Sequence, residues 1–124
     1  MTDFDELAKR YIDTWNITDE DERASAVAVL FADDATYVDP LATATGQPEI
    51  AQIIAAVQQQ LPGFRFRLAG PVDGHHRQAR FAWELGPGDV LPGEAPVVGF
   101  DVVVLADDDR LSRVHGFLDR MPGR

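Results

Sequence analysis

The chain has 124 residues, 45% of them hydrophobic, which fits a single domain over residues 1–124 with a core of its own. It contains no cysteine, which excludes a disulfide framework and a cysteine-based metal site. Its formal net charge of −10 disfavours nucleic acid and anionic membranes as partners. The N-terminal segment is acidic and no stretch approaches the roughly 20 apolar residues of a membrane span, so a cytoplasmic location is predicted.

The first half of the sequence predicts three helices. Apolar residues at helical spacing indicate a first helix from about Asp3 to Asn16, with Tyr11 and Trp15 on its inner face. A second helix follows an N-cap at Thr18 or Asp19, and its predicted inward residues are Ala24, Val27, Ala28, Leu30 and Phe31. A third helix ends at Pro62-Gly63 and carries Ile50, Ile53, Ile54, Val57 and Leu61 at the same spacing.

A short strand is predicted between the second and third helices. Residues 31–35 read as a helix end and a polar turn, and the strand then covers Thr36 to Val38. It ends at Asp39, because Pro40 lacks an N–H and favours an extended residue before it. Asp39 should therefore lie at an edge or mouth on the same face as Tyr37, although an Asp-Pro pair also marks a simple turn. Residues 41–47 are predicted to form a loop.

The second half predicts four strands. Period-2 alternation covers residues 64–68 and 79–85, followed by an apolar run at 97–105 and a last strand at 111–119. Asp73-Gly74 marks a turn, and residues 86–96 form a loop rich in Gly and Pro. Helices first and a meander of strands afterwards predict an α+β fold. Its curved antiparallel sheet would wrap on three N-terminal helices into a cone with an internal pocket.

Asp101 is the most informative single residue. It lies in the run Val97 to Leu105, which is apolar on both faces of any strand. Burial disfavours the charged form and raises the pKa of a carboxyl group, and a neutral carboxyl group can donate a hydrogen bond. The alternative is a structural carboxylate paired with an arginine.

The same alternation suggests further residues that bind a substrate. Gly99 shares a face with Asp101 and would open space for a ligand or another backbone. His115 and Phe117 share one face of the last strand, where His115 could be a second acid/base group or a polar residue bonded in the pocket or an interface. The complete predicted substrate-binding set is Trp15, Tyr37, Phe66, Trp83, Gly99, His115 and Phe117. No helical His-x-x-x-His or tight His/carboxylate cluster occurs, so no metal site is predicted.

Taken together, these segments resemble the ketosteroid isomerase and polyketide cyclase branch of the nuclear transport factor 2-like superfamily. The motifs that carry the resemblance are Arg10-Tyr11-Ile12, Phe31 to Thr36, Asp39-Pro40, Gly46, Glu49-Ile50 and Phe100-Asp101. The resemblance implies that Asp39 is the general base and that Tyr11 and Asp101 donate hydrogen bonds to an enolate oxygen. It implies an isomerase that shifts a proton beside a carbonyl, and such chemistry needs no cofactor.

Two further expectations concern the substrate and the assembly. Trp15 and Trp83 narrow the pocket, which favours a small apolar ketone over a steroid. A non-catalytic ligand-binding or interaction module, or a related cyclase or hydrolase, is the alternative. The sheet carries apolar residues on both faces, so a two-fold homodimer is predicted through Val98, Val102, Val104, Val114 and Leu118.

Overall fold

The computed structural model describes residues 2–122 and has the predicted α+β architecture. Its helices are α1 (Phe4–Trp15), α2 (Glu20–Leu30) and α3 (Gln47–Gln60). Its strands are β1 (Phe31–Val38), β2 (Thr43–Thr45), β3 (Phe64–Leu68), β4 (Asp73–His75), β5 (Gln78–Pro87), β6 (Val97–Leu105) and β7 (Leu111–Arg120). No helix in this described part of the chain is long and apolar enough to cross a membrane.

The helix ends follow local capping chemistry. The Asp3 carboxylate accepts from the Glu6 N–H, and the Asp19 carboxylate accepts from the Glu22 N–H, so each caps the orphan amides of a first turn. On α2 the predicted inner face is partly wrong, because Ala24 and Ala28 are exposed whereas Arg23 is buried. The Arg23 guanidinium replaces its hydration shell with hydrogen bonds to neighbouring carbonyl groups and to a glutamine side chain, which makes its burial tolerable.

The sheet is mixed, not purely antiparallel as predicted. Its strand order is β2-β1-β7-β6-β5-β3, with β4 paired to β5. Strand β1 runs parallel to β7, because α2 delivers the chain to the sheet at Phe31, which lies beside Leu111 at the start of β7. The remaining strand pairs are antiparallel.

Three strand assignments differ from the sequence prediction. Strand β1 begins at Phe31, directly after α2, where a helix end and a turn were predicted. The three-residue strands β2 and β4 replace a predicted loop and a predicted turn. The turn after β4 lies at His76, whose φ of 53° is left-handed. Three residues carry too little alternation to be recognised, and their pairing is fixed by the neighbouring longer strands.

The core fills the space between the helices and the inner face of the sheet. Its most deeply buried residues include Val27, Phe31, Ile50, Ile54, Val103, Leu111 and Val114. Val114 therefore cannot belong to the outer face, contrary to the prediction. Leu118 is also misplaced by the prediction, because it lies opposite Gly99 and packs against the core.

One polar side chain ties α1 to the edge of the sheet. The Asn16 side chain donates from Nδ2 to the Phe66 carbonyl and accepts at Oδ1 from the Phe66 N–H, both at 2.8 Å. The Asn16 side-chain amide thus pairs with the backbone of β3 as a residue of a neighbouring strand would. Since Phe66 packs against aromatic residues of α1 and β5, this pair of hydrogen bonds fixes one wall of the interior.

Candidate active site

A small cavity lies between α1, the end of β1 and the inner face of β3, β5, β6 and β7. Its volume is about 80 Å³. Pockets for drug-sized ligands usually span about 300–1,000 Å³, so this cavity suits a small molecule. Most of its wall is apolar, and the chemically active residues that line it are Tyr11, Tyr37, Asp39, Trp83 and Asp101.

Asp101 lies at the dry end of the cavity and is only 3% exposed. Its Oδ2 is 2.6 Å from the Tyr11 hydroxyl, and its Oδ1 accepts from the Trp83 indole N–H at 3.1 Å. Burial raises the pKa of Asp101 to about 6, although the hydrogen bonds from Tyr11 and Trp83 oppose that rise. Arg80, an arginine of the neighbouring strand β5, pairs instead with Asp73 on the surface, at 3.5 Å.

Asp39 lies at the other end, just after β1, and is half-buried. Its Oδ1 accepts from the backbone N–H groups of Leu41 and Ala42, both at 2.8 Å. Its Oδ2 accepts from the Tyr37 hydroxyl at 2.6 Å. The turn that Pro40 initiates therefore fixes one oxygen, while Tyr37 orients the other.

The two tyrosines remain protonated donors. Burial, followed by the charge of Asp101, raises the pKa of Tyr11 well above its usual value. The pKa of Tyr37 is raised in the same way by burial and then by Asp101 and Asp39. Each carboxyl group thus has a phenol at short distance that supplies a hydrogen bond and does not lose its proton near neutral pH.

Gly116 keeps the space between the two carboxyl groups open. A Cβ atom at this position would lie 2.9 Å from Asp101 Oδ1 and 3.2 Å from Asp39 Cβ. Gly116 pairs with Asp101 in the β6–β7 ladder, so the two residues face the same side of the sheet. Any larger residue here would intrude between the two acids.

Aromatic rings build the wall that joins both ends of the cavity. Ring centroids lie 5.2 Å apart for Trp15 and Phe66, and 5.2 Å apart for Phe66 and Trp83. Trp15 also packs on Tyr37 at 5.7 Å. The Trp15 indole N–H is buried and lowers the pKa of the nearby Tyr11 hydroxyl slightly, whereas the N–H of Trp83 donates to Asp101.

Three predicted substrate-binding residues lie elsewhere or only at the border. Gly99 does not open ligand space, since a Cβ there would lie 2.3 Å from the Phe117 carbonyl oxygen and 2.6 Å from the Trp83 ring. His115 is exposed and lies beside Val102 on the outer face of the sheet. Phe117 borders the cavity, yet it is 50% exposed and its ring stacks on Phe100.

Several cavity residues were not predicted from the sequence. Gly116 is the most consequential, and its role depends on a pairing between distant strands. The apolar residues Leu41, Val57, Leu61, Leu85 and Val97 also contribute to the wall. Val57 and Leu61 were predicted on the apolar face of the third helix, but nothing in their spacing separates cavity wall from solid core.

Comparison with known families now identifies the chain. The family model described as a SnoaL-like domain matches residues 8–114, which is most of the chain. The protein belongs to the SnoaL-like family. The predicted nuclear transport factor 2-like superfamily is thereby confirmed. A search of the curated proteins found no significant match.

Solved structures support this SnoaL-like assignment. A "putative isomerase of the SnoaL-like family" from Agrobacterium tumefaciens is 41% identical over 96% of this chain and 99% of its own, with a TM-score of 0.88. A "putative polyketide cyclase" from Sinorhizobium meliloti is 18% identical, with coverage of 90% and 93% and a TM-score of 0.68. A SnoaL-like protein of unknown function from Burkholderia thailandensis is 12% identical, with coverage of 95% and 98% and a TM-score of 0.73. The last two likenesses show the fold alone.

The raised pKa of Asp101 predicts how stability depends on pH. The folded state holds this proton more tightly than the unfolded chain, so the stabilisation is full below the ordinary pKa of 3.8 and is lost as pH rises through about 6. Asp101→Asn has no proton to lose. Relative to wild type, it should gain up to about 3 kcal/mol of unfolding free energy between about pH 4 and pH 7.

Urea unfolding at several pH values measures this difference. Asp34→Asn, which removes an exposed carboxylate from β1, is the matched control and should show a nearly constant difference from wild type. If the Asp101→Asn variant instead lost stability relative to wild type as pH rose, Asp101 would be a structural carboxylate held in its charged form.

Proposed function

We propose that this SnoaL-like protein is an isomerase-like enzyme that shifts a proton beside the carbonyl of a small apolar ketone through an enolate. The observation that carries the proposal is the pair of carboxyl groups in unlike environments around one cavity. Asp101 is buried against Tyr11 and Trp83, whereas Asp39 lies half-buried in a turn. Pairs of acids whose surroundings differ in this way commonly divide acid and base roles.

The proposed reaction assigns one step to each end of the cavity. Asp39 removes a proton from the carbon next to the carbonyl, and the electrons of that C–H bond move onto the carbonyl oxygen. Tyr11 and Asp101 together stabilise the resulting enolate oxygen through their linked hydrogen bonds. Asp39 then returns the proton to the same carbon or to a conjugated carbon, so atoms and charge balance without a cofactor.

The size of the expected electrostatic effect is substantial. A preorganised donor to a developing oxyanion in a water-poor site is typically worth about 2.7–4 kcal/mol. Tyr11 is 2% exposed and Asp101 is 3% exposed, so bulk water does not compete for the oxygen at that end. The proton-transfer end is more open, which lets Asp39 meet a substrate entering the cavity.

The size of the cavity limits the choice of substrate more strictly than the proposed reaction does. The volume of about 80 Å³ and the packing of Trp15, Phe66 and Trp83 favour a compact ketone over a steroid. The isomerase description of the relative that is 41% identical supports the reaction class.

A non-catalytic ligand-binding module is the second candidate, and one observation favours it. The three hydrogen bonds to Asp39 from Tyr37, Leu41 and Ala42 would serve equally well to hold a turn at the cavity mouth. In that case Asp39 would shape the entrance, and the cavity would bind a small molecule without turning it over.

Replacing Asp39 by asparagine separates the two candidates. Asp39→Asn keeps the size of the side chain and an oxygen for the amides of Leu41 and Ala42, but it removes the basicity. An enzyme should lose at least about 100-fold of its α-proton exchange rate, a typical contribution of a general base, while ligand affinity and fold change little. Exchange is measured by NMR in deuterated buffer with a panel of small cyclic and β,γ-unsaturated ketones.

Asp34→Asn is the matched control, since it removes an exposed carboxylate from the same segment and should leave exchange unchanged. Exchange at the background rate in the parent protein, across the whole panel, would support the binding module and contradict the enzyme. Equal exchange in the parent and in Asp39→Asn would remove Asp39 from the base role.

The proposal extends to a homodimer through the outer face of the sheet. Val98, Phe100, Val102 and Val104 of β6 point outward in alternation with buried residues. Exposed apolar residues of neighbouring strands continue this patch, since Val38 is 45% exposed and Phe117 is 50% exposed. An apolar surface at the centre of a sheet can meet the same surface of a second copy about a two-fold axis.

A charge placed at the centre of that face tests the homodimer. Val102→Asp should convert the dimer to a monomer, because pairing would bury unpaired carboxylates. Leu91→Asp is the control, since Leu91 is 61% exposed in the loop after β5 and outside this face. Sedimentation at micromolar concentration distinguishes the states, and a monomeric parent protein would contradict the assembly.

A further inference from the structure

The two oxygens of Asp101 have chemically different partners. Oδ1 meets the Trp83 indole N–H at 3.1 Å, and Oδ2 meets the Tyr11 hydroxyl at 2.6 Å. An indole N–H can only donate a hydrogen bond, whereas a phenol hydroxyl can donate and accept. Oδ1 must therefore be an acceptor as long as Trp83 keeps its position. A proton on Asp101 has its place on Oδ2, inside the contact with Tyr11.

We infer that Trp83 is a positioning residue that directs the Asp101 proton to Oδ2 and thereby makes Tyr11 the donor to a ligand oxygen. This inference rests on the proposed function for the identity of that oxygen, the carbonyl of a small ketone. It refines the role of Asp101, which acts on the ligand through Tyr11 and not by direct contact.

The arrangement has two states. When Asp101 is ionised, the Tyr11 hydroxyl donates its single proton to Oδ2 and cannot donate to a ligand. When Asp101 is protonated, Oδ2 donates to the Tyr11 oxygen, and the Tyr11 proton is free to turn toward the cavity that Tyr11 lines. A carbonyl or enolate oxygen then receives a hydrogen bond from Tyr11, which is polarised by the bond from Asp101 behind it.

The structure holds the Trp83 ring firmly enough for this task. Trp83 lies opposite Gly99 in the β5–β6 ladder, and the ring occupies the space that a Cβ at Gly99 would fill. Phe66 also packs against this ring edge-to-face, with ring centroids 5.2 Å apart. The absence of a side chain at Gly99 therefore leaves room for the Trp83 ring. The ring then reaches Asp101, which follows Gly99 by two residues on β6.

The titratable groups around Asp101 among residues 2–122 come from α1 and from the end of β1. Tyr11 of α1 contacts it directly, and Asp39, just after β1, influences it through its charge. The charge of Asp101 in turn raises the pKa of Tyr37 near the end of β1. The negative charge of Asp39 adds to the effect of burial in raising the pKa of Asp101, which supports a protonated Asp101 in mildly acidic solution. Trp83 opposes this rise because its N–H stabilises the carboxylate.

The ligand-free protein provides a direct test, because the chain contains only two tryptophans. A ¹H–¹⁵N spectrum should show two indole cross-peaks, and Trp15→Phe assigns them. The Trp83 indole proton should move downfield as Asp101 ionises, with an inflection near the Asp101 pKa of about 6, because the hydrogen bond becomes charge-assisted. The inflection should vanish in Asp101→Asn.

Hydrogen exchange of the same indole proton locates the Asp101 proton. If the proton binds Oδ2, the Trp83 N–H keeps its acceptor and remains protected on both sides of the inflection. Loss of protection when Asp101 becomes protonated would place the proton on Oδ1 and overturn the inference. A Trp83 cross-peak that does not respond to pH, or an inflection that persists in Asp101→Asn, would also overturn it.

A neutral ketone probe tests the consequence for binding. The affinity of wild type for acetophenone should fall as pH rises above about 6, by up to about tenfold per pH unit. Asp101→Asn should bind with a pH-independent affinity, because its amide oxygen can face Trp83 while its NH₂ group donates permanently to Tyr11. A pH-dependent affinity that is identical in both proteins would contradict the coupling.

Matched tryptophan variants separate positioning from packing. Trp83→Phe removes a donor to the Asp101 carboxylate, so the pH at which acetophenone affinity falls should move upward. Trp15→Phe removes an indole from the same wall but no hydrogen bond to Asp101, so that pH should stay unchanged. Equal shifts in both variants would mean that Trp83 acts through packing alone. If no ketone showed α-proton exchange, the proposed enzyme activity would be contradicted. The pH titration of the Trp83 indole proton would still test where Asp101 carries its proton.

Discussion

A hydrogen bond of 2.6 Å between the Tyr11 hydroxyl and Asp101 Oδ2 joins the first helix to the sixth strand in an interior that water hardly reaches. An isolated carboxylate in such a place would be costly, so the partners of Asp101 decide which of its protonation states the fold accepts. Trp83 supplies the second partner, and Gly99 leaves room for its ring. The position of α1, the register of β5 on β6 and the aromatic wall of the cavity thus all determine the surroundings of the Asp101 side chain.

The asymmetry of the site follows from where the two acids lie. Asp101 is enclosed by the strands on either side of β6 and by α1. Asp39 instead lies beyond the end of β1, in a turn that supplies two backbone N–H donors. Gly116 leaves the space between them unfilled. A protonated donor at one end and a carboxylate at the other are what enolisation of a ketone requires, and this division needs no cofactor.

Local pattern predicted the three helices, the strands β3, β5, β6 and β7, and the burial of Tyr11 and Asp101, because each depends on neighbours within a few residues. Alternation also placed His115 and Phe117 on a common face, but it could not tell which face meets the helices. That choice depends on the pairing of β7 with β6 and β1, whose registers shift near Phe31, Val98 and Val104. The same pairing places Gly116 beside both acids, so its role could not be inferred from spacing along the chain.

The central claim is that Asp101 carries a proton on Oδ2 while Asp39 carries none. Neutron diffraction from a deuterated crystal at about pD 5, below the Asp101 pKa of about 6, tests it most directly. The account predicts a deuteron on Asp101 Oδ2 directed at Tyr11, the Tyr11 deuteron directed into the cavity, and a bare Asp39 that accepts from Tyr37. A bare Asp101 that accepts the Tyr11 deuteron, or a deuteron on Asp39, would contradict it.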